Sequence, residues 1–257
     1  MNPLRRYEKI MEILLASGEV MVTELSDQLQ VTGKTIREDL AKLEQKGLLQ
    51  RIHGGAVLAQ ENQRGILSPK QADQASPDAP ELEEIAGTAV SLIEQNDVIA
   101  LDGGRTTLEI ASRLPDMSLT VVTNDLYIIA ELARKESIRL VVPGGYQMRN
   151  MLIGAEAAAY IRRLNIAKAF LSATAVHPES GFTIYSGESA DIKRAWLETA
   201  KAAYVVADHR KFGQGALFTF AQLHEVDAII TDSGLNAEKA EPFRQQGAQL
   251  LIGGKRP

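Results

Sequence analysis

Residues 22–58 read VTELSDQLQVTGKTIREDLAKLEQKGLLQRIHGGAVL. Within that stretch Ile36, Leu40 and Leu43 fall at i, i+4, i+7, which gathers them on one buried stripe of a helix predicted over Gly33 to Lys46, with Gly47 as its stop. The same rotation turns Lys34, Arg37, Glu38 and Ala41 outward. Upstream, Thr23 is the expected N-cap of a short helix whose Leu25 and Leu29 share a side, and Val31-Thr32 make a tight connection. Two short helices joined by such a turn, the second polar at its start, have the geometry that enters a DNA major groove. After Gly47, two apolar runs flank His53-Gly54-Gly55 and predict a β-hairpin, a wing with Arg51 and His53 near its tip.

Working outward toward the N-terminus, Leu4, Tyr7, Ile10, Met11, Leu14 and Leu15 recur at helical spacing, and Ser17-Gly18 supplies a stop. Residues 1–58 are thus expected to form a winged helix-turn-helix. Charge alone does not demand DNA. Residues 1–60 hold eight Lys/Arg and eight Asp/Glu, and the whole 257-residue chain carries a formal net charge of −5, whereas binding to DNA rests on phosphate neutralisation. A charged outward face is also what an ordinary soluble helix packing shows. The DNA reading therefore rests on arrangement: residues 31–58 hold five bases and three acids.

The string itself resembles the DeoR family of bacterial regulators, whose N-terminal signature appears here as Thr35-Ile36-Arg37, Asp39-Leu40, Leu43-Glu44, Gly47 and Arg51-Ile52-His53-Gly54-Gly55-Ala56. That resemblance implies binding to double-stranded operator DNA, with Lys34, Thr35 and Arg37 as candidates for groove contacts and Arg51 and His53 for backbone contacts from the wing. Many members carry a second arginine where this chain has Glu38; a carboxylate favours cytosine amino groups and repels phosphate.

Residues 59–80 lose all periodicity, with three prolines and many Gln and Asn, and read as a linker. Residues 81–257 then alternate apolar runs with helical segments. VIAL (98–101), LTVVT (119–123), IRLVVP (138–143), AKAFLSA (167–173), AAYVVAD (202–208) and DAIITD (227–232) are the predicted strands. Helices are expected at Thr106 to Arg113, Leu126 to Lys135 and Ser189 to Lys201. Such alternation predicts an α/β domain with a largely parallel sheet covered on both faces, and ligands in such sheets bind beyond the carboxyl ends of the strands.

Those ends carry Asp102-Gly103-Gly104-Arg105-Thr106-Thr107, then Thr123-Asn124-Asp125, then Pro143-Gly144-Gly145 with Arg149 behind, and finally Asp208-His209-Arg210-Lys211-Phe212-Gly213. The first places backbone amides, hydroxyls and a guanidinium at a helix start, a good anion site. Taken singly, each is also an ordinary turn or cap. Together they resemble the DeoR sensor domain, which is similar in fold to ribose-5-phosphate isomerase. By that resemblance Glu188 and Lys193 join the effector site and Lys211 is a further cationic contact. It implies a phosphorylated sugar or sugar acid as effector and a homo-oligomer, dimer or tetramer, that represses a carbohydrate catabolic operon. Arg105 departs from the family's small hydroxyl residue, and Thr174 stands where many relatives carry an aspartate.

Two other classes remain open at this level. Asp102, Glu188, Asp208 and Lys211 include the carboxylates and amine that a phosphosugar isomerase needs, and a DNA-binding oligomer without a ligand switch fits the same elements. The chain contains no cysteine, and His53, His177, His209 and His224 are scattered, so no metal or other cofactor is expected. The N-terminal apolar residues are interrupted by Glu8, Lys9 and Glu12, unlike a signal peptide, and no stretch reaches membrane-span length, so a cytoplasmic protein with no membrane partner is expected.

Overall fold

The computed structural model describes residues 2–46, 48–58 and 80–254, with the side chain of Leu15 excepted. Gly47, the side chain of Leu15 and the linker before Pro80 thus lie outside the described residues. The head opens with α1 (Pro3–Ser17). Asn2 caps it by accepting from Leu4 N at 3.0 Å, proline begins it without wasting an amide, and Gly18 closes it at φ 81°. A strand that the periodicity did not predict follows, β1 (Glu19–Met21), then α2 (Val22–Leu29) and α3 (Gly33–Gln45). The hairpin is β2 (Leu49–Ile52) and β3 (Gly55–Leu58), and the small sheet has the order β1-β3-β2.

Two expectations are corrected here. Thr23 does not cap α2: the helix starts at Val22, whose amide donates instead to Gly54 O of the wing turn at 2.8 Å. The strand leading into α2 satisfies that first amide, so no side-chain cap is needed. Leu4 is exposed, whereas the first turn of α1 buries Arg6, which pairs with Asp39 of α3. The remaining apolar stripe does form the core: Tyr7, Ile10, Met11 and Leu14 pack with Leu25, Leu29, Ile36, Leu40 and Leu43.

The larger domain starts at Pro80, the first residue of α4 (Pro80–Ser91) rather than the last of the linker; proline is tolerated there because the first-turn amide has no helical partner anyway. Next come β4 (Val98–Leu101), α5 (Arg105–Arg113), β5 (Leu119–Val122), α6 (Leu126–Leu132) and β6 (Ile138–Val141). A hairpin of β7 (Tyr146–Met148) and β8 (Met151–Ile153) precedes α7 (Ala155–Ile161) and β9 (Ile166–Ser172). The chain continues through β10 (Ala175–His177), β11 (Gly181–Ile184), α8 (Gly187–Thr199), β12 (Ala200–Val206), β13 (Phe218–Ala221), β14 (Ala228–Thr231), α9 (Ala237–Gln245) and β15 (Leu250–Ile252).

Seven of these strands make one sheet in the order β15-β14-β12-β9-β4-β5-β6, and every neighbouring pair is parallel. Separate apolar layers cover its two faces. One contains Ala100, Ile166, Trp196 and Phe243; the other contains Ile85, Ile99, Ile110 and Phe170. Strands buried on both faces explain why the sequence runs here are nearly continuous in apolar residues. From β4 the chain winds outward through β5 and β6, then returns to β9 on the other side of β4 and winds the opposite way. The crevice at that reversal, beyond the carboxyl ends of β4 and β9, is where a sheet of this kind binds ligands.

Candidate functional site

On the head, α3 presents Lys34 and Arg37 to solvent at its N-terminal end. Thr32 caps the helix by accepting from Thr35 N at 3.2 Å, and the two threonine hydroxyls share a hydrogen bond of 2.9 Å, which sets the position of Thr35 at the helix start. Lys34 has a side chain 86% exposed and lies 4.0 Å from Glu38 one turn on. Arg51 is tied back from the wing to α3: its Nε lies 2.7 Å from Glu44 Oε2, and its amide donates to Glu44 Oε1 at 2.9 Å. Those two bonds, the backbone one foremost, hold the Glu44 carboxyl below the usual range. His53 is exposed at the wing turn.

At the switch point lies a cavity of about 730 Å³. Gly103, Gly104, Arg105 and Thr106 form one wall, at the start of α5. Gly104 precedes that helix and provides no side-chain acceptor, so no side chain caps its first amides. Close approach explains the glycines. A Cβ on Gly103 would stand 1.8 Å from Met151 Sδ, and one on Gly104 would stand 2.9 Å from Ser172 Cβ.

The floor is a buried ion pair. Asp102 accepts from Ser172 N and Ser172 Oγ at 3.1 Å each and pairs with Lys193, whose Nζ also donates to Ser172 O at 2.7 Å. Lys193 reaches this point from α8, five residues beyond Glu188, so both face the cavity. Lys211 enters from the segment after β12 and donates to Ala173 O at 2.9 Å. Burial pushes its ammonium pKa down, and the nearby charges of Lys193, Arg105 and Arg210 push the same way against the opposing pull of Asp208. Asp208 is itself held below the usual carboxylate range: burial pulls it up, but Arg210 and Lys211 outweigh that. A carboxyl beside Gly103, Asp125, is raised to about 6, mainly by burial.

Asp102 and Thr107 lie beneath the wall rather than on it, with Thr107 Oγ1 donating to Gly104 O at 2.9 Å. Thr123, Asn124, Gly144 and Gly145 do not line the cavity. Thr123 Oγ1 accepts from Asp125 N at 3.2 Å, and Asn124 Nδ2 donates to Leu152 O at 2.8 Å. A Cβ on Gly145 would stand 2.3 Å from Ile153 O. Thr123, Asn124 and Gly145 thus hold Asp125 and the β7–β8 hairpin in place. Sequence reasoning did not find Ser172, Asn150, Tyr146 or Tyr185, nor Glu8 and Lys9 of α1, all of which line the cavity. Ser172 ends an apolar strand and was discoverable from that position. The α1 residues carry no local signal, because only the tertiary fold brings them across from the head.

A winged helix-turn-helix joined to a domain with a charged cavity at its switch point is the build of a DNA-binding regulator with its own sensor. Residues 6–62 match the model of the DeoR-like helix-turn-helix domain, and residues 78–233 match that of the DeoR C terminal sensor domain. The chain is 35% identical over 240 residues to the transcriptional repressor AccR of Agrobacterium fabrum, covering 89% of each chain. It is 34% identical over 255 residues to the uncharacterized HTH-type transcriptional regulator YgbI of Escherichia coli, covering 98% of each. Among solved structures, it is similar to an eIF-2B protein of Pyrococcus horikoshii (TM-score 0.47, 16% identity, 90% and 89% covered). It is also similar to ribose 5-phosphate isomerase A of Methanocaldococcus jannaschii (TM-score 0.39, 16% identity, 53% of each covered). The chain belongs to the DeoR family of DNA-binding transcriptional regulators and repressors. No helix among the described residues is long and apolar enough to cross a membrane.

Proposed function

We propose that this regulator represses a carbohydrate catabolic operon and is released by a phosphorylated sugar or sugar acid bound in the cavity at the switch point. The observation that carries this reading is the meeting of Lys211, Arg105 and the uncapped start of α5 around one cavity, with a second ammonium, Lys193, in its floor. Helix-start amides and desolvated cations together favour a multiply charged anion. A cavity of about 730 Å³ has room for a sugar beyond the phosphate. In this reading Lys34, Thr35 and Arg37 enter the major groove, Arg51 and His53 of the wing approach the backbone, and a cytoplasmic homo-oligomer pairs two heads on a repeated operator. Release requires that the effector prefer one arrangement of the heads; equal affinity for both shifts nothing.

A thermal-shift series with phosphorylated sugars, phosphorylated sugar acids and their unphosphorylated counterparts tests this. Stabilisation by the phosphorylated compounds alone is expected, reduced at least tenfold in apparent affinity by Lys211→Ala. Equal stabilisation by the unphosphorylated forms, or none by either, excludes a phosphate-reading sensor and leaves a DNA-binding oligomer without this switch.

A further inference from the structure

The cavity is not built by the sensor domain alone. Glu8, Lys9, Met11 and Glu12 of α1, the first helix of the DNA-binding head, lie along it. Glu8 Oε1 accepts a hydrogen bond of 3.3 Å from Gly187 N, the first residue of α8. That helix is 13 residues long; its cap, Ser186, accepts from Ser189 N at 3.3 Å and leaves the Gly187 amide to Glu8. A carboxylate from the head therefore occupies the positive end of the helix that carries Glu188 and Lys193 into the cavity.

A second observation at the same place is independent of the helix end. Tyr185, two residues before α8, is 5% exposed and packs in the head's own core with Tyr7, Ile10, Met11 and Leu14. Its hydroxyl is buried without a hydrogen-bond partner, and the residue lines the cavity. A buried hydroxyl without a partner loses the hydrogen bonds it makes to water, so a group that bonds to it is favoured there. A ligand polar group entering beside α1 would supply that bond.

We propose that Glu8 is an internal anion holding the start of α8, and that an anion entering the cavity displaces it and so unseats the DNA-binding head. This rests on the cavity being the effector site, and it specifies how occupancy reaches the DNA: α1 is at once the wall of the pocket and the base of the head. The Gly187 amide donates to one acceptor at a time, and Glu188 already places a carboxylate in the same first turn. An anionic ligand and the docked head therefore compete, which gives the ligand the differential affinity that a switch requires.

The chain has no native cysteine, so a donor and an acceptor dye placed through Lys42→Cys on α3 and Lys201→Cys on β12 report head docking in the full-length protein. Inorganic phosphate is the probe. In the wild-type background, energy transfer should fall saturably as phosphate binds. Glu8→Gln and Glu8→Ala should bind phosphate at least threefold more tightly and show reduced transfer before any is added. Glu24→Gln, which removes the same charge elsewhere on the head, should behave as wild type. Equal phosphate affinity in all three Glu8 backgrounds, transfer that phosphate does not alter, or an equal effect from Glu24→Gln overturns the proposal. Lys211→Ala separates the two readings. If that variant loses phosphate binding while the Glu8 variants are silent, only the displacement idea fails. If phosphate binds irrespective of Lys211, or binds no variant, the effector site itself is wrong and the displacement idea falls with it.

Discussion

Asp125 lines the cavity, yet its carboxyl accepts from Tyr127 N at 2.8 Å and Ile128 N at 3.1 Å as the cap of α6. Burial outweighs those bonds and raises its pKa from 3.8 to about 6. A carboxyl raised in the folded state favours folding fully only below its unfolded value, and that contribution disappears as pH rises through about 6. Asp125→Asn retains an oxygen for the cap and removes the charge. At pH 7.5 it should be more stable than wild type by on the order of 1–3 kcal/mol, with the gap closing as pH falls toward 4. Urea titrations across that range measure it, and a gap independent of pH would show that Asp125 is not buried as charge. The cluster Asp102, Ser172, Lys193 and Lys211 illustrates what could be read locally. Asp102 and Lys211 announced themselves by position after strands, and Lys193 only through family resemblance. Ser172, which binds Asp102 and Lys193 together, looked like the end of an apolar run.

At the scale of elements, most helices and six of the seven strands of the large sheet were legible because a period of 3.6 or an unbroken apolar run survives in the sequence, whereas α7, α9 and the edge strand β15 were not. β1 did not show itself: three residues, Glu19–Met21, with burial alternating around a single buried Val20, are too few to carry a period. The strand matters because it clasps the wing. Glu19 to Met21 pair with Val57 to Gly55, and a Cβ on Gly55 would stand 2.1 Å from Val20 O, a backbone atom that cannot step aside. Gly55→Ala should therefore cost the head about 2 kcal/mol or more and loosen the wing. The expected readout is a lower melting temperature with weakened operator binding, while phosphate-dependent stabilisation of the larger domain persists. An unchanged melting temperature would mean that β1 does not hold the hairpin.

For the molecule as a whole, net charge −5 means that attraction to DNA is confined to the recognition face. Operator binding should weaken with salt, and Lys34→Ala should reduce the slope of log K against log salt by about 1, as expected for loss of one phosphate neutralisation. Arg37→Ala should cost about 1–3 kcal/mol and relax preference at one base position if it reads a base edge. Filter or anisotropy titrations at several salt concentrations distinguish the two roles. Normal affinity in both variants would remove α3 from the DNA interface. The core of the head runs into the sensor domain through Tyr185. In the proposed switch, α1 is the helix that links docking to DNA binding.

The sequence by itself determined the two-part build, the helix-turn-helix, the wing and the parallel sheet, because each depends on spacing within a dozen or so residues. It also marked the loops after β4 and β12 as candidate anion sites, since glycines, hydroxyls and cations cluster there along the chain. Only the tertiary structure decided which of those residues face one cavity, that Asp102 and Lys193 join beneath it 91 residues apart, and that Glu8 meets Gly187 across 179 residues. The physical reason is that local periodicity reports which side of an element is buried. What lies against that side is fixed by the order in which strands assemble, and no short-range pattern records it.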